Sequence, residues 1–72
     1  MKKSYELEDL DCANCARKMQ EAIAKIEGVK SVSVNFLTQR LTLEAEDAVF
    51  ESALRAAVKA IARVEPDCRV KL

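Results

Sequence analysis

The segment DCANC, residues 11–15, sets two thiols three positions apart with a carboxylate directly before the first. At that spacing Cys12 and Cys15 can point both sulfurs at one centre from a turn and the helix that follows it. Unpaired backbone N–H groups at a helix start favour the thiolate, which is the form of cysteine that binds a metal ion. A thiolate pair selects soft or borderline ions such as Cu(I), Zn(II), Cd(II), Pb(II) and Hg(II). Two thiolates fall short of the four ligands that a structural zinc site takes. The chain offers no histidine and no second C-x-x-C to supply the rest. The implied site is open, and an open site can exchange its ion with the ligands of a partner.

Asp11 bears on which ion. Carboxylate oxygen is an ordinary zinc ligand at about 2.0–2.2 Å, whereas Cu(I) prefers sulfur. Two thiolates and a carboxylate around Cu(I) leave a formal charge of minus two, and around a divalent ion only minus one. The D-C-x-x-C form therefore leans toward Zn(II), Cd(II) or Pb(II), with Cu(I) the poorer fit. The same carboxylate could instead cap the helix.

The elements that must position these groups follow from hydrophobic period. Tyr5 and Leu7 alternate with Ser4, Glu6 and Glu8, the pattern of a half-buried strand over residues 3–9. From Ala13 the period changes: Cys15, Ala16, Met19, Ala22, Ile23 and Ile26 share one helical face, and Gly28 can end that helix at positive φ. Val32, Val34 and Phe36, then Leu41, Leu43 and Ala45, alternate as two strands of a hairpin linked through Leu37, Thr38 and Gln39. Asp47 can cap a second helix whose stripe is Phe50, Ala53, Leu54, Ala57, Ile61 and Val64, stopped by Pro66. Cys68, Val70 and Leu72 alternate in a last strand. The order βαββαβ predicts an α+β, ferredoxin-like sandwich, a four-stranded antiparallel sheet with two helices on one face. Right-handed crossovers then bring Asp11, Cys12 and Cys15 to the same end of the sheet as Pro66 and Cys68.

Composition narrows the function classes. Seventy-two residues make one small domain, able to bury roughly 60% of its unfolded surface. Half the chain is apolar but only 4% is aromatic, which predicts a thin core and no deep substrate pocket. Twelve basic and twelve acidic side chains cancel and alternate, against a nucleic-acid footprint or a polybasic membrane surface. The first twenty residues have no signal-peptide pattern, and Arg55, Lys59 and Arg63 interrupt the longest apolar stretches, so no direct membrane contact is expected. Three cysteines, an odd number, point to reduced thiols in a cytoplasmic setting. Cys68 reads first as a small buried hydrophobe and second as a third thiolate. Glu6, Glu8 and Asp9 read as a solvated acidic edge. No nucleotide loop, phosphorylatable aspartate motif or base–nucleophile pair is present, so the domain itself is not expected to be an enzyme.

The segments LEDLDCANCARKMQEAI, GVKSVSVNFLTQRLTL and VEPDCRV together resemble the heavy-metal-associated domain, most of all the N-terminal metal-binding domain of zinc/cadmium/lead-transporting P-type ATPases. The likeness covers nearly the whole chain, and its specific element is the C-x-x-C at the first strand-to-helix turn. It implies that residues 1–72 are the cytosolic, N-terminal part of a longer membrane transporter. Cys12 and Cys15 match the family's two thiolate ligands, and Asp11 matches the acidic residue typical of the divalent-metal branch. The family usually has Gly-Met where this chain has Asp9-Leu10. Pro66 stands where copper domains commonly have an aromatic residue. The partners implied are the metal ion and either the remainder of the ATPase or a metal-donating protein. Two other readings share the dithiol: a free-standing metallochaperone, copper included, and a dithiol–disulfide redox module. The Ala-Asn between the cysteines, with no preceding Trp and no Pro, weakens the redox reading.

Overall fold

The chain forms β1 (Lys2–Glu8), α1 (Ala13–Ala24), β2 (Val29–Asn35), β3 (Arg40–Ala45), α2 (Phe50–Val64) and β4 (Arg69–Lys71). These elements are those of a computed structural model that describes residues 1–10 and 12–71. The sheet runs β2-β3-β1-β4 with every pair antiparallel. Because β3 lies between β1 and β2, each helix crosses over to a non-adjacent strand, the split βαβ topology expected from the sequence.

Register follows the alternation of apolar side chains. Tyr5 lies opposite Leu41 and Leu7 opposite Val70. Leu7, Leu41, Leu43 and Ala45 are buried on one face of the sheet, against Ala16, Met19 and Ile23 of α1 and Phe50, Ala53, Ala57 and Ile61 of α2. The other face is polar, with Ser4 and Thr42 hydroxyls 3.0 Å apart and Ser31 donating to Glu44 at 3.1 Å. A one-residue slip would turn the leucines to solvent, so burial itself fixes the pairing. Each buried Leu, Ile or Met contributes about 1.5–3 kcal/mol, and the alanines in the helix faces allow close approach where no larger side chain would fit. Along the edge strand β2, the N–H of Val34 donates to Gln20 Oε1 of α1 at 3.0 Å, which satisfies a donor that an edge otherwise leaves open.

Several boundaries differ from expectation. Helix α1 stops at Ala24 with Lys25 at its C-cap, so Gly28 does not cap it. Gly28 instead has φ +93° in the turn where the N–H of Val29 bonds to the carbonyl of Ile26 at 3.2 Å. Asp47 does not cap α2: a 3-10 turn over Asp47–Val49 intervenes, Val49 takes the cap position, and the Asp47 carboxylate lies 2.8 Å from the terminal ammonium of Met1. That ammonium holds the Asp47 carboxyl below the usual value. Strand β2 ends at Asn35, whose Oδ1 accepts the N–H groups of Leu37 and Thr38 and so bends the chain before Phe36. Cys68 precedes β4 rather than opening it, and Leu72 lies outside the described residues. Pro66 behaves as expected. Its ring forces Glu65 into extended backbone (φ −142°, ψ 98°), and α2 ends there.

Gly28 gives the fold a sharp test. A Cβ at this position would meet Val49 Cγ2 at 2.8 Å, and the backbone lies in the left-handed region. Gly28→Ala is expected to lower unfolding free energy in urea by at least about 1–2 kcal/mol; an unchanged midpoint would contradict the turn described.

Candidate metal centre

The site is built where β1 gives way to α1. Asp9 has φ +61°, a left-handed conformation that bulky residues avoid and Asp tolerates. It turns the chain so that Leu10 drops into the core, only 2% exposed. Leu10 thereby serves as the apolar anchor beneath the loop, in the place where the resembling family carries methionine. The chain re-emerges at Cys12, which occupies the N-cap of α1 with extended backbone (φ −133°, ψ 123°) and accepts the N–H of Ala16 through its carbonyl at 3.1 Å.

This placement aims free backbone dipoles at sulfur. No side-chain hydrogen bond of regular capping geometry closes the helix start. The N–H of Cys15 nevertheless lies close enough to hold the Cys12 thiol below its ordinary value, followed by the Cys15 side chain and the N–H of Asn14, with the Lys18 ammonium adding to the effect. Cys15 moves the other way. Its proton is retained by the hydrogen bond to the Cys12 sulfur, then by partial burial and by the negative charges of Cys12 and Glu65. Of the two sulfurs, the exposed Cys12 is therefore the one that ionises more readily, and the half-buried Cys15, donating to it, is the one that keeps its proton longer. A soft cation held by such a pair would displace both thiol protons and gain two thiolates.

Of the residues singled out in the sequence, Cys12 and Cys15 are brought together. Asp11 lies outside the described residues. Cys68 is buried in the core, 4% exposed, with its N–H donated to Glu65 at 3.0 Å. The approach of the α2–β4 turn to this corner is as the topology required: Glu65 acts on Cys15 through its charge, and Glu8, Asp9, Pro66, Asp67 and Arg69 line one open cleft of about 410 Å³. Glu6 lies 3.7 Å from Lys71 across the strand pair, so the acidic edge is partly neutralised. Among the described residues no group of three or more His, Cys, Asp and Glu side chains converges to hold a metal ion.

Sequence reasoning missed one residue of this corner. Gln39, at the end of the β2–β3 turn, accepts the N–H of Leu10 on Oε1 at 3.1 Å and donates from Nε2 to the carbonyls of Leu10 and, at 3.0 Å, Phe36. Its own carbonyl accepts the N–H of Leu7 at 2.7 Å. A glutamine in a polar turn carries no mark of such a contact, which spans 29 residues and exists only once β1 and β3 are paired.

A four-stranded ferredoxin-like sandwich with a dithiol at its first strand-to-helix corner defines a class of soft-metal-binding modules. The chain belongs to the heavy-metal-associated domain family, whose sequence profile matches residues 4–63. It is 31% identical over 71 residues to the cadmium, zinc and cobalt-transporting ATPase of Bacillus subtilis, covering 99% of this chain and 10% of that protein. It is 40% identical over 57 residues to the zinc/cadmium/lead-transporting P-type ATPase of Escherichia coli, covering 75% of this chain and 8% of that protein. The chain thus spans a tenth or less of these relatives. Among solved structures, the Cu(I)-loaded N-terminal domain of a potential copper-translocating P-type ATPase from Bacillus subtilis superposes with a TM-score of 0.78. That domain is 28% identical, with 99% of this chain and 84% of that one covered. Relatives named for divalent ions and for copper therefore share the fold. Among the described residues no helix is long and apolar enough to cross a membrane.

The unequal affinities of the two thiols make a prediction for the reduced, metal-free protein, read residue by residue from cysteine Cβ NMR shifts. The Cβ resonance of Cys12 should titrate below the ordinary cysteine value and that of Cys15 above it. In Cys12→Ala the Cys15 step should move down toward the ordinary value, since the hydrogen bond to the Cys12 sulfur and the charge there are both lost. In Cys15→Ala the Cys12 step should move up, since the side-chain donor is lost while the backbone dipoles remain. Coincident ionisation of both thiols in the unsubstituted protein would contradict the pairing.

Proposed function

We propose that this domain binds a divalent heavy-metal ion of the Zn(II), Cd(II) or Pb(II) class on Cys12 and Cys15, with Asp11 as a third ligand. In this reading residues 1–72 are the cytosolic, N-terminal metal-binding domain of a metal-transporting P-type ATPase. The ion is cargo, held and passed on, and the domain performs no catalysis itself. The observation that carries the reading is the placement of two thiols at one helix start, Cys12 exposed at the N-cap with the N–H of Cys15 favouring its ionised form and Cys15 half-buried beside it. The relatives named for zinc, cadmium, lead and cobalt transport support the choice of ion class.

The physical logic of delivery is incompleteness. Two thiolates and one carboxylate bring a divalent ion to a formal charge of minus one and leave a coordination position for an incoming ligand. A partner's sulfur can enter before one of this domain's sulfurs leaves, so the ion need never be stripped to water. The exposed Cys12 is the sulfur a partner reaches first, and the half-buried Cys15 is the one that lets go last.

Two titrations test the reading. The double substitution of Cys12 and Cys15 by serine should abolish Zn(II) and Cd(II) binding while circular dichroism and unfolding midpoint stay close to those of the parent. Retained binding would overturn the site, and an unfolded variant would make the thiols structural. Asp11→Asn should weaken Zn(II) more than Cu(I), because it replaces an anionic oxygen by a neutral amide oxygen. Equal losses for the two ions would remove the preference for divalent cargo.

A further inference from the structure

The link between β1 and α1 has little holding it from its own side. Beyond Glu8 the strand ladder has ended, since the last β1–β3 pair is Glu6 with Arg40 and the N–H of Leu7 bonds to the Gln39 carbonyl. At that point the backbone of Gln39 turns away into the left-handed region, φ +57°. Its side-chain amide continues where the backbone stopped. A primary amide has one acceptor oxygen and two N–H donors, and all three are used: Oε1 for the Leu10 N–H, Nε2 for the Leu10 and Phe36 carbonyls. The amide thus grips both polar groups of Leu10 as a neighbouring strand would.

We infer that Gln39 is the positioning residue of the metal loop: its amide fixes the Leu10 peptide, and through it the direction in which the chain leaves toward Cys12. The inference rests on the reading that Cys12 and Cys15 hold the ion. Leu10 is two residues before Cys12, and Asp9 on its other side is itself in a left-handed conformation. With the peptide of Leu10 clamped, the thiols are presented in advance of the metal, and binding does not have to order the loop. Without the clamp the loop's ordering opposes binding, and the loaded state releases its ion sooner. Glutamine is suited to the task. Asparagine is one methylene shorter and cannot span to both groups, while glutamate offers no N–H to the two carbonyls and adds charge beside thiolates.

The decisive variant is Gln39→Gly, because glycine accepts φ +57° without strain while the substitution removes the side chain and its amide. Gly28→Ala serves as the comparison, since it destabilises the fold at the opposite end of the sheet. Cd(II)-loaded proteins are mixed with excess chelator and release is followed by loss of the sulfur charge-transfer band. Amide exchange at Leu10 is followed in the metal-free state. Gln39→Gly is expected to release Cd(II) about tenfold faster and to exchange the Leu10 amide faster, whereas Gly28→Ala releases at the parent rate. Unchanged release from Gln39→Gly, or equal acceleration in both variants, overturns the role of Gln39 while leaving the metal site standing. A parent protein that retains no Cd(II) overturns both, and an unaltered Leu10 exchange rate in Gln39→Gly overturns the clamp without reference to metal.

Discussion

Two sulfurs placed at the free N–H groups of a helix cannot both keep their ordinary affinity for a proton. Ionising Cys12 is favoured by the backbone dipoles of Cys15 and Asn14, and the charge so created makes Cys15 harder to ionise. The pair is thereby divided into one sulfur that ionises readily and one that holds its proton longer. Everything else in the domain serves to hold Cys12 at the N-cap. The apolar face of α1 fixes the axis of the helix, Leu10 fixes the depth of the loop, and Asp9 and Gln39 turn the chain between them.

The same geometry separates stability from function. The buried side chains lie between the sheet and the helices, and Cys12 contributes nothing to them. Cys15 packs against the core at one edge and Cys68 lies within it. A site whose more reactive group stands outside the core can gain and lose an ion without unfolding the domain, as a releasable cargo requires. This differs from small zinc modules in which the metal itself supplies the folding free energy.

Much of this was legible in the residues. Alternation placed all four strands, the 3.6-residue period placed both helices, and the spacing of Cys12 and Cys15 marked the corner where they meet. The misplacements share a physical cause. Asp47 has the chemistry of a cap, yet a charged group nearby and a 3-10 turn claimed it, and no local pattern reports such competition. Gly28 signalled a positive φ correctly, but the turn that uses it lies beyond the end of the helix. The left-handed backbone of Asp9 could have been inferred from the glycine that the family usually carries there. The reach of Gln39 to Leu10 could not, because it depends on the register of strands that are distant in sequence.

The most direct measurement is X-ray absorption at the metal edge of the fully reduced protein loaded with one equivalent of Zn(II). Two sulfur neighbours at about 2.3 Å, completed by oxygen at about 2.0–2.2 Å, are the expected first shell. A shell of oxygen and nitrogen alone would leave Cys12 and Cys15 without the role assigned to them.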